Sequence, residues 1–153
     1  MLRLTQDFKE FLKLLNSAGI EYLLIGGYAV SLYGYVRPTK DMDVWVTIDP
    51  ENTNRLVAVL LQFGFSGTSI PDPLFDSEQT VLRMGIPPNR IEILSDIAGV
   101  KFIECWPRRQ MMNLDGIDVP VISYEDLKLN KSSTGRLQDA ADIQRLEKRR
   151  KQP

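Results

Sequence analysis

Two short stretches of this sequence carry residue types that bind phosphate and metal. Gly26 and Gly27 follow the apolar run 22–25, which places them where a strand turns into a helix. Backbone N–H groups at the start of a helix can bind an anion. Asp41 and Asp43 stand two positions apart in an alternating run, so on a strand they point to the same face. Because Mg²⁺ binds one or two carboxylates together with waters and substrate phosphates, the two stretches indicate chemistry on a nucleoside triphosphate.

A third carboxylate, Glu92, stands between Ile91 and Ile93 in the apolar run 90–94. If both isoleucines face the core, Glu92 points to the other side of the strand. It then joins the aspartates, provided that the two strands are neighbours. Two such charges about 5 Å apart repel by roughly 3 kcal/mol at an effective dielectric near 20. A cluster of this kind implies a metal, raised pKa values, or pairing with arginine or lysine.

Each motif alone has a second interpretation. The two aspartates also fit a solvated strand face with Arg37 or Lys40 as salt-bridge partners, and a glycine pair can serve only a tight turn. An EF-hand loop is excluded, because Trp45 occupies the third ligand position. Neither a G-x-G-x-x-G fingerprint nor a G-K-[ST] phosphate loop is present. The combination of the two motifs is therefore the informative feature.

The composition narrows the chemistry further. The chain has 153 residues, a formal net charge of -1 and no histidine. The lack of histidine excludes Ser-His-Asp and Cys-His nucleophile systems and zinc sites built on imidazole. General-base chemistry is then left to carboxylates, lysine or tyrosine. The near-zero net charge gives no global attraction to nucleic acid, so any such contact requires a local patch.

Cysteine usage and hydropathy predict the compartment. Cys105 is the single cysteine, which rules out an internal disulfide and favours a reducing compartment. No stretch reaches the roughly 18 apolar residues of a membrane helix, and the first residues lack an apolar signal core. We expect a cytoplasmic protein without membrane contact.

The hydrophobic periodicity predicts the elements that position these residues. Helices are expected over 5–19, 29–33, 49–64, 100–105, from about 123, and over 136–149, with strands over 22–25, 41–46, 79–84 and 90–94 and a hairpin through 113–116. In the last helix, Leu137, Ala140, Ile143 and Leu146 predict the packed side. The result is a single α+β domain spanning 1–153, with C-terminal helices from about 123. A mixed sheet carries the carboxylates, and the helices pack mainly on its opposite face.

The two motifs, taken in order, resemble a known family. The run Gly26-Gly27-Tyr28-Ala29-Val30, followed by Gly34, Arg37, Thr39, Asp41 and Asp43, resembles the nucleotidyltransferase superfamily typified by DNA polymerase β. The closest likeness is to small bacterial nucleotidyltransferases of the abortive-infection and toxin–antitoxin type. Their later segment resembles the run 126–131, followed by Arg136, Asp139 and Asp142. The likeness covers residues 20–146.

The resemblance implies specific roles for these residues. Asp41 and Asp43, with Glu92 as the third carboxylate, would hold catalytic Mg²⁺ (or Mn²⁺), and Glu92 would take the proton of the acceptor hydroxyl. Nucleotide-binding roles are implied for Gly26, Gly27, Tyr28, Arg37, Thr39, Lys131 and Arg136. Within this set, the glycines would contact the triphosphate through their backbone, and the three cations would neutralise it.

The implied function is transfer of a nucleoside monophosphate from a nucleoside triphosphate to an acceptor hydroxyl, with release of pyrophosphate. RNA, in particular the end of tRNA, a protein side chain and a small molecule are the candidate acceptors, and an antitoxin is a candidate partner. The chain departs from the family at Tyr28, where serine is common, and at Glu92, where aspartate is usual. Both departures favour the alternative, a non-catalytic nucleotide- or partner-binding module on a degenerate fold of this class.

Overall fold

The computed structural model describes residues 2–151 and contains a six-stranded mixed sheet. The strands are β1 (Tyr22–Ile25), β2 (Asp41–Val46), β3 (Val81–Met84), β4 (Arg90–Leu94), β5 (Gln110–Leu114) and β6 (Ile117–Val121). Their order across the sheet is β3-β4-β2-β1-β6-β5. The pairs β2–β4 and β1–β6 are parallel, and the other neighbours are antiparallel.

Six α-helices accompany the sheet in the described part of the chain. They are α1 (Gln6–Ser17), α2 (Gly26–Leu32), α3 (Pro50–Phe63), α4 (Phe102–Cys105), α5 (Tyr124–Ser132) and α6 (Leu137–Arg150). The side chains of Thr5, Asp49 and Ser123 accept hydrogen bonds from backbone N–H groups in the first turns of α1, α3 and α5, because the first N–H groups of a helix lack intrahelical partners. Helix α2 begins three residues earlier than predicted, so both glycines lie in its first turn.

The core lies between the sheet and the apolar sides of the helices. Helix α1 buries Phe8, Phe11, Leu12 and Leu15, and Phe11 meets Phe63 of α3 edge to face. From the sheet, Leu23, Leu24, Met42, Val44, Ile91 and Ile93 are fully buried or nearly so. The mixed sheet with its packed helices confirms the α+β prediction.

The packed side of α6 differs from the prediction. Leu137 is 89% exposed and Ala140 is exposed, whereas Asp139, Asp142 and Leu146 are the buried residues of this helix. The apolar spacing thus predicted the burial of Leu146 correctly and that of Leu137 and Ala140 wrongly, while Ile143 is half-buried. The physical reason is that cationic side chains from other elements pair with the two aspartates and bury them.

No helix within residues 2–151 combines the length and the apolar character needed to cross a membrane.

Candidate functional site

The carboxylates meet because of the register between β2 and β4. In this parallel pair Asp43 lies opposite Glu92, and Asp41 lies opposite Arg90. One carboxylate oxygen from each of Asp41, Asp43 and Glu92 lies within 4.8 Å of the other two. The predicted convergence of these side chains on one face is therefore present.

The three carboxylates have unlike electrostatic surroundings. Burial, followed by the negative charges of Glu92 and Asp41, raises the pKa of Asp43 to about 7. Burial and the neighbouring Asp41 also raise the pKa of Glu92. The pKa of Asp41 is lowered instead, chiefly by hydrogen bonds from Arg90. Ionisation of all three carboxylates at the same time is therefore unfavourable without an added cation. This property is common in metal-binding sites.

Two arginines that the sequence analysis did not single out flank the carboxylates. Arg90 donates two hydrogen bonds to Asp41, from Nε to Oδ1 at 2.8 Å and from Nη2 to Oδ2 at 3.0 Å. Arg83 of β3 lies opposite Glu92 in the sheet, with its Nε 3.6 Å from Glu92 Oε2. The salt-bridge partner of Asp41 is thus Arg90, and neither Arg37 nor Lys40 takes that role. The signal was available, since Arg90 stands two positions before Glu92 and so shares its face.

The glycine pair is fitted closely to the residues around it. Gly26 has φ +68°, a conformation that favours glycine, and a Cβ atom at this position would overlap Oδ2 of Asp43. A Cβ atom at Gly27 would lie 2.6 Å from Cγ2 of Thr39. The backbone at the start of α2 therefore lies directly against the carboxylate cluster on one side and against Thr39 on the other.

Tyr28 uses its side chain for packing. Its ring meets the ring of Phe8 on α1 edge to face, with 5.8 Å between the centroids. Burial raises the pKa of its hydroxyl group. The ring is therefore engaged with α1.

The three predicted phosphate-binding cations belong to one ion-pair network. Lys131 is 5% exposed, and its Nζ lies 2.8 Å from Asp139 Oδ1 and 3.0 Å from Asp142 Oδ2. Arg136 contacts the other oxygen of Asp139 at 2.9 Å. Arg37 binds both oxygens of Asp142, each at 2.9 Å. The network joins the segment before β2 to α5 and α6 and fixes the position of Lys131.

A cavity of about 300 Å³ brings most of these groups together. Its lining includes Gly26, Asp41, Asp43, Glu92, Asn130, Lys131, Thr134 and Arg136. Asp96, an exposed residue that follows β4, also lines the cavity. Gly27, Tyr28, Arg37 and Thr39 are not among the lining residues. The cavity is thus lined by the three carboxylates, by the cations Lys131 and Arg136, and by the first residue of α2.

This arrangement suits a polyphosphate bound through a divalent cation. Carboxylate oxygens are the ligands that Mg²⁺ and Mn²⁺ prefer in proteins. Lys131 and Arg136 contribute a positive field at the cavity, which lowers the pKa of Asp43 against the effect of its burial. The same positive field would favour the negative oxygens of a phosphate chain.

Comparison with known proteins identifies the class. Residues 1–148 match the family described as nucleotidyltransferase of unknown function (DUF6036), and the chain belongs to that family. The predicted membership of the nucleotidyltransferase superfamily is therefore confirmed. No match is found among curated proteins.

Solved structures show the same fold. The lincosamide antibiotic adenylyltransferase LnuA in its lincomycin-bound form is similar with a TM-score of 0.62 and 17% identity, over 96% of this chain and 98% of its own. A protein of Thermotoga maritima named as a nucleotidyltransferase has a TM-score of 0.61 and 16% identity, over 93% and 91%. An antigenic nucleotidyltransferase-like protein of Paracoccidioides brasiliensis has a TM-score of 0.54 and 20% identity, over 92% and 73%. These likenesses confirm the predicted nucleotidyltransferase fold.

Proposed function

We propose that this protein transfers a nucleoside monophosphate from a nucleoside triphosphate to an acceptor hydroxyl, using Mg²⁺ or Mn²⁺. The observation that carries the proposal is the single cavity shared by Asp41, Asp43, Glu92, Gly26 and Lys131. It combines a set of metal ligands with a helix start and a buried cation, which are the parts that phosphoryl-type transfer needs.

The carboxylates fit a divalent cation by their chemistry. Three acidic oxygens lie within 4.8 Å of one another, and the raised pKa of Asp43, about 7, reflects the cost of ionising it without a cation. Such a site would bind the metal through Asp41, Asp43 and Glu92. When bound, the ion would polarise the α-phosphate and stabilise the charge that develops during transfer.

The chain's own residues account for the remaining steps. A bond forms between the acceptor oxygen and the α-phosphorus, and the bond from that phosphorus to the bridging oxygen of the β-phosphate breaks, releasing pyrophosphate. Glu92 accepts the hydroxyl proton, and burial together with the neighbouring Asp41 raises its pKa, which makes it a stronger base than an ordinary glutamate. Lys131 and Arg136 attract the leaving pyrophosphate, while the backbone at Gly26 holds the phosphate chain close to Asp43.

Transfer of label tests the proposal directly. The protein is incubated with α-labelled nucleoside triphosphates, Mg²⁺ and cell extract, beside a variant carrying Asp41→Asn and Asp43→Asn. The proposal predicts label in a macromolecule or small molecule with the native chain only. Equal transfer of label by the two proteins would contradict the proposal.

A cationic hollow favours a polynucleotide as the acceptor. The hollow, of about 250 Å³, is lined by Gly34, Tyr35, Arg145, Lys148 and Arg149. It lies past the C-terminal end of α2, whose N-terminal residue lies against Asp43. The seven residues of α2, at about 1.5 Å each, separate Gly26 from the hollow by about 10 Å, which an acceptor strand of about two nucleotides would span. The small-molecule alternative has the fold of LnuA as its support, and the antitoxin partner is a separate prediction from the resemblance.

A non-catalytic nucleotide-binding module is the second candidate, and the pair Arg90–Asp41 is the observation that favours it. An arginine that neutralises a metal ligand is expected in a site that has lost its metal. Calorimetry distinguishes the two candidates. A sensor binds the triphosphate tightly without turnover, and an enzyme releases pyrophosphate when its acceptor is present.

A further inference from the structure

Arg90 occupies the oxygens of Asp41 that a cation would need. We propose that Arg90 is an internal counter-ion, which stabilises the metal-free carboxylate cluster and competes with the divalent cation for Asp41. The inference rests on the proposed function, because it assumes that the cluster binds metal. It assigns to Arg90 the role of a competing counter-ion that lowers the metal affinity of the cluster.

The contact between Arg90 and Asp41 uses both carboxylate oxygens. Nε lies 2.8 Å from Oδ1 and Nη2 lies 3.0 Å from Oδ2, which is the planar two-bond geometry that guanidinium and carboxylate groups favour. Nη2 also lies 3.4 Å from Oε1 of Glu92. The guanidinium group thus lies between two of the three proposed metal ligands.

The sheet register fixes this position. Arg90 lies opposite Asp41 in the parallel pair of strands, and Glu92 lies opposite Asp43. Arg90 and Glu92 share a strand face because they are two residues apart. The guanidinium group faces Asp41 in this structure, and the side chain of Arg90, 29% exposed, has solvent into which it can withdraw.

A bound cation and the guanidinium group exclude each other in this position. A doubly charged ion and a single charge about 5 Å apart repel by roughly 7 kcal/mol at an effective dielectric near 20. Coordination through Asp41 also removes at least one of the two hydrogen bonds to Arg90. Metal binding therefore displaces Arg90, and the free energy lost in that displacement weakens the measured affinity.

Titration with Mn²⁺, followed by the electron paramagnetic resonance of the free ion at pH 8, tests the inference without any need for activity. We expect Arg90→Gln to bind Mn²⁺ at least about tenfold more tightly than the native chain. Its metal-free form should melt at a lower temperature, because the carboxylates have lost their counter-ion. Arg90→Lys, which keeps the charge but not the planar fork, should lie between the two proteins in affinity.

Arg108→Gln is the matched control. Arg108 binds both oxygens of Asp126 at 2.9 and 3.0 Å, outside the carboxylate cavity. The Arg108→Gln variant should have a lower melting temperature and an unchanged Mn²⁺ affinity. If the loss of any arginine altered metal binding, its Mn²⁺ affinity would change as well.

Two results would overturn the inference in distinguishable ways. Equal or weaker Mn²⁺ binding by Arg90→Gln would mean that Arg90 orients Asp41 as a ligand and does not compete, while the proposed function stands. No Mn²⁺ binding by any of the proteins, together with no transfer of label, would overturn the inference and the proposed function together.

Discussion

Asp43 on β2 lies directly opposite Glu92 on β4, in a parallel pair of neighbouring strands. Two residues along the same strands, Asp41 lies opposite Arg90, and Ile25, the residue before Gly26, lies opposite Asp43 on its other side. Ile25, Asp43 and Glu92 therefore lie in one row across three neighbouring strands, beside the start of α2. This row explains how carboxylates from two separate strands converge beside the start of α2.

Replacing Gly26 should weaken metal binding through a steric effect on Asp43. A Cβ atom at this position overlaps Oδ2 of Asp43, and the backbone has φ +68°. We predict that Gly26→Ala weakens Mn²⁺ binding and lowers transfer by at least about a hundredfold, since displacements of about 1 Å have effects of this size.

Gly19 provides the control for backbone strain. Its φ of +67° is nearly the same, but a Cβ atom there meets nothing within 4 Å. Gly19→Ala should cost about 1 kcal/mol of stability with unchanged metal affinity. Equal effects of the two substitutions on Mn²⁺ affinity would refute a specific role for Gly26.

The stability of the metal-free protein should fall as the pH rises through neutrality. The pKa of Asp43 is raised from 3.8 to about 7 in the folded protein. Its stabilising contribution is complete below pH 3.8 and is lost as the pH rises towards 7, because the folded state binds a proton that the unfolded state has released. Between pH 5.5 and 8.5 this group should remove about 2 kcal/mol.

Urea unfolding in the presence of a chelator measures this dependence. The Asp43→Asn variant should show a much flatter profile than the native chain over the same pH range, since amide side chains do not titrate. Parallel profiles for the two proteins would show that Asp43 does not titrate near neutral pH.

Asp142 should be important for stability, since it is fully buried and contacts both Lys131 and Arg37. We predict that Asp142→Ala lowers the free energy of unfolding by about 3–5 kcal/mol, because it removes the carboxylate partner of Arg37 and leaves the buried Lys131 with Asp139 as its remaining partner. The exposed pair of Glu51 and Arg55 gives the comparison, and Glu51→Ala should cost no more than about 0.5 kcal/mol. Similar losses in urea unfolding would contradict a structural role for the network.

The cationic hollow should bind single-stranded RNA through its phosphates. A variant with Arg145→Ala, Lys148→Ala and Arg149→Ala should bind RNA at least about tenfold more weakly. It should also show a smaller salt dependence, since each lost phosphate contact reduces the slope of log K against log salt by about 0.7 for single strands. Fluorescence anisotropy at several salt concentrations measures both quantities.

The matched control removes the same number of charges elsewhere. A variant with Lys9→Ala, Lys13→Ala and Arg55→Ala carries these changes on α1 and α3, away from the hollow. It should keep the native RNA affinity and salt slope. If both variants lose affinity equally, net charge explains the binding, and the hollow is not an acceptor site.

Local signals in the sequence were sufficient to predict most of the helices and strands. Caps at Thr5, Asp49 and Ser123 and the period-2 pattern of β2 and β4 depend on near neighbours in the chain. The convergence of Glu92 with Asp43 required the further condition that their strands be adjacent. Alternation alone does not specify strand order, so this condition came from the structure.

The role of α6 was not accessible from periodicity. Its apolar spacing predicted Leu137 and Ala140 on the packed side, yet Asp139 and Asp142 are buried there. Their burial depends on Lys131, which belongs to the preceding helix α5, and on Arg37, which is 105 residues away from Asp142 in the sequence. The bidentate pair of Arg90 and Asp41 has the same origin, because it follows from the pairing of β2 with β4.

The most direct test of the central claim is a crystal structure with Mn²⁺ and a non-hydrolysable nucleoside triphosphate. The account predicts an anomalous peak bonded to oxygens of Asp41, Asp43 and Glu92 at about 2.1 Å. It also predicts the triphosphate in the cavity beside Gly26 and Lys131. An anomalous peak that contacts none of these three carboxylates, in a crystal that contains the bound triphosphate, would contradict the account.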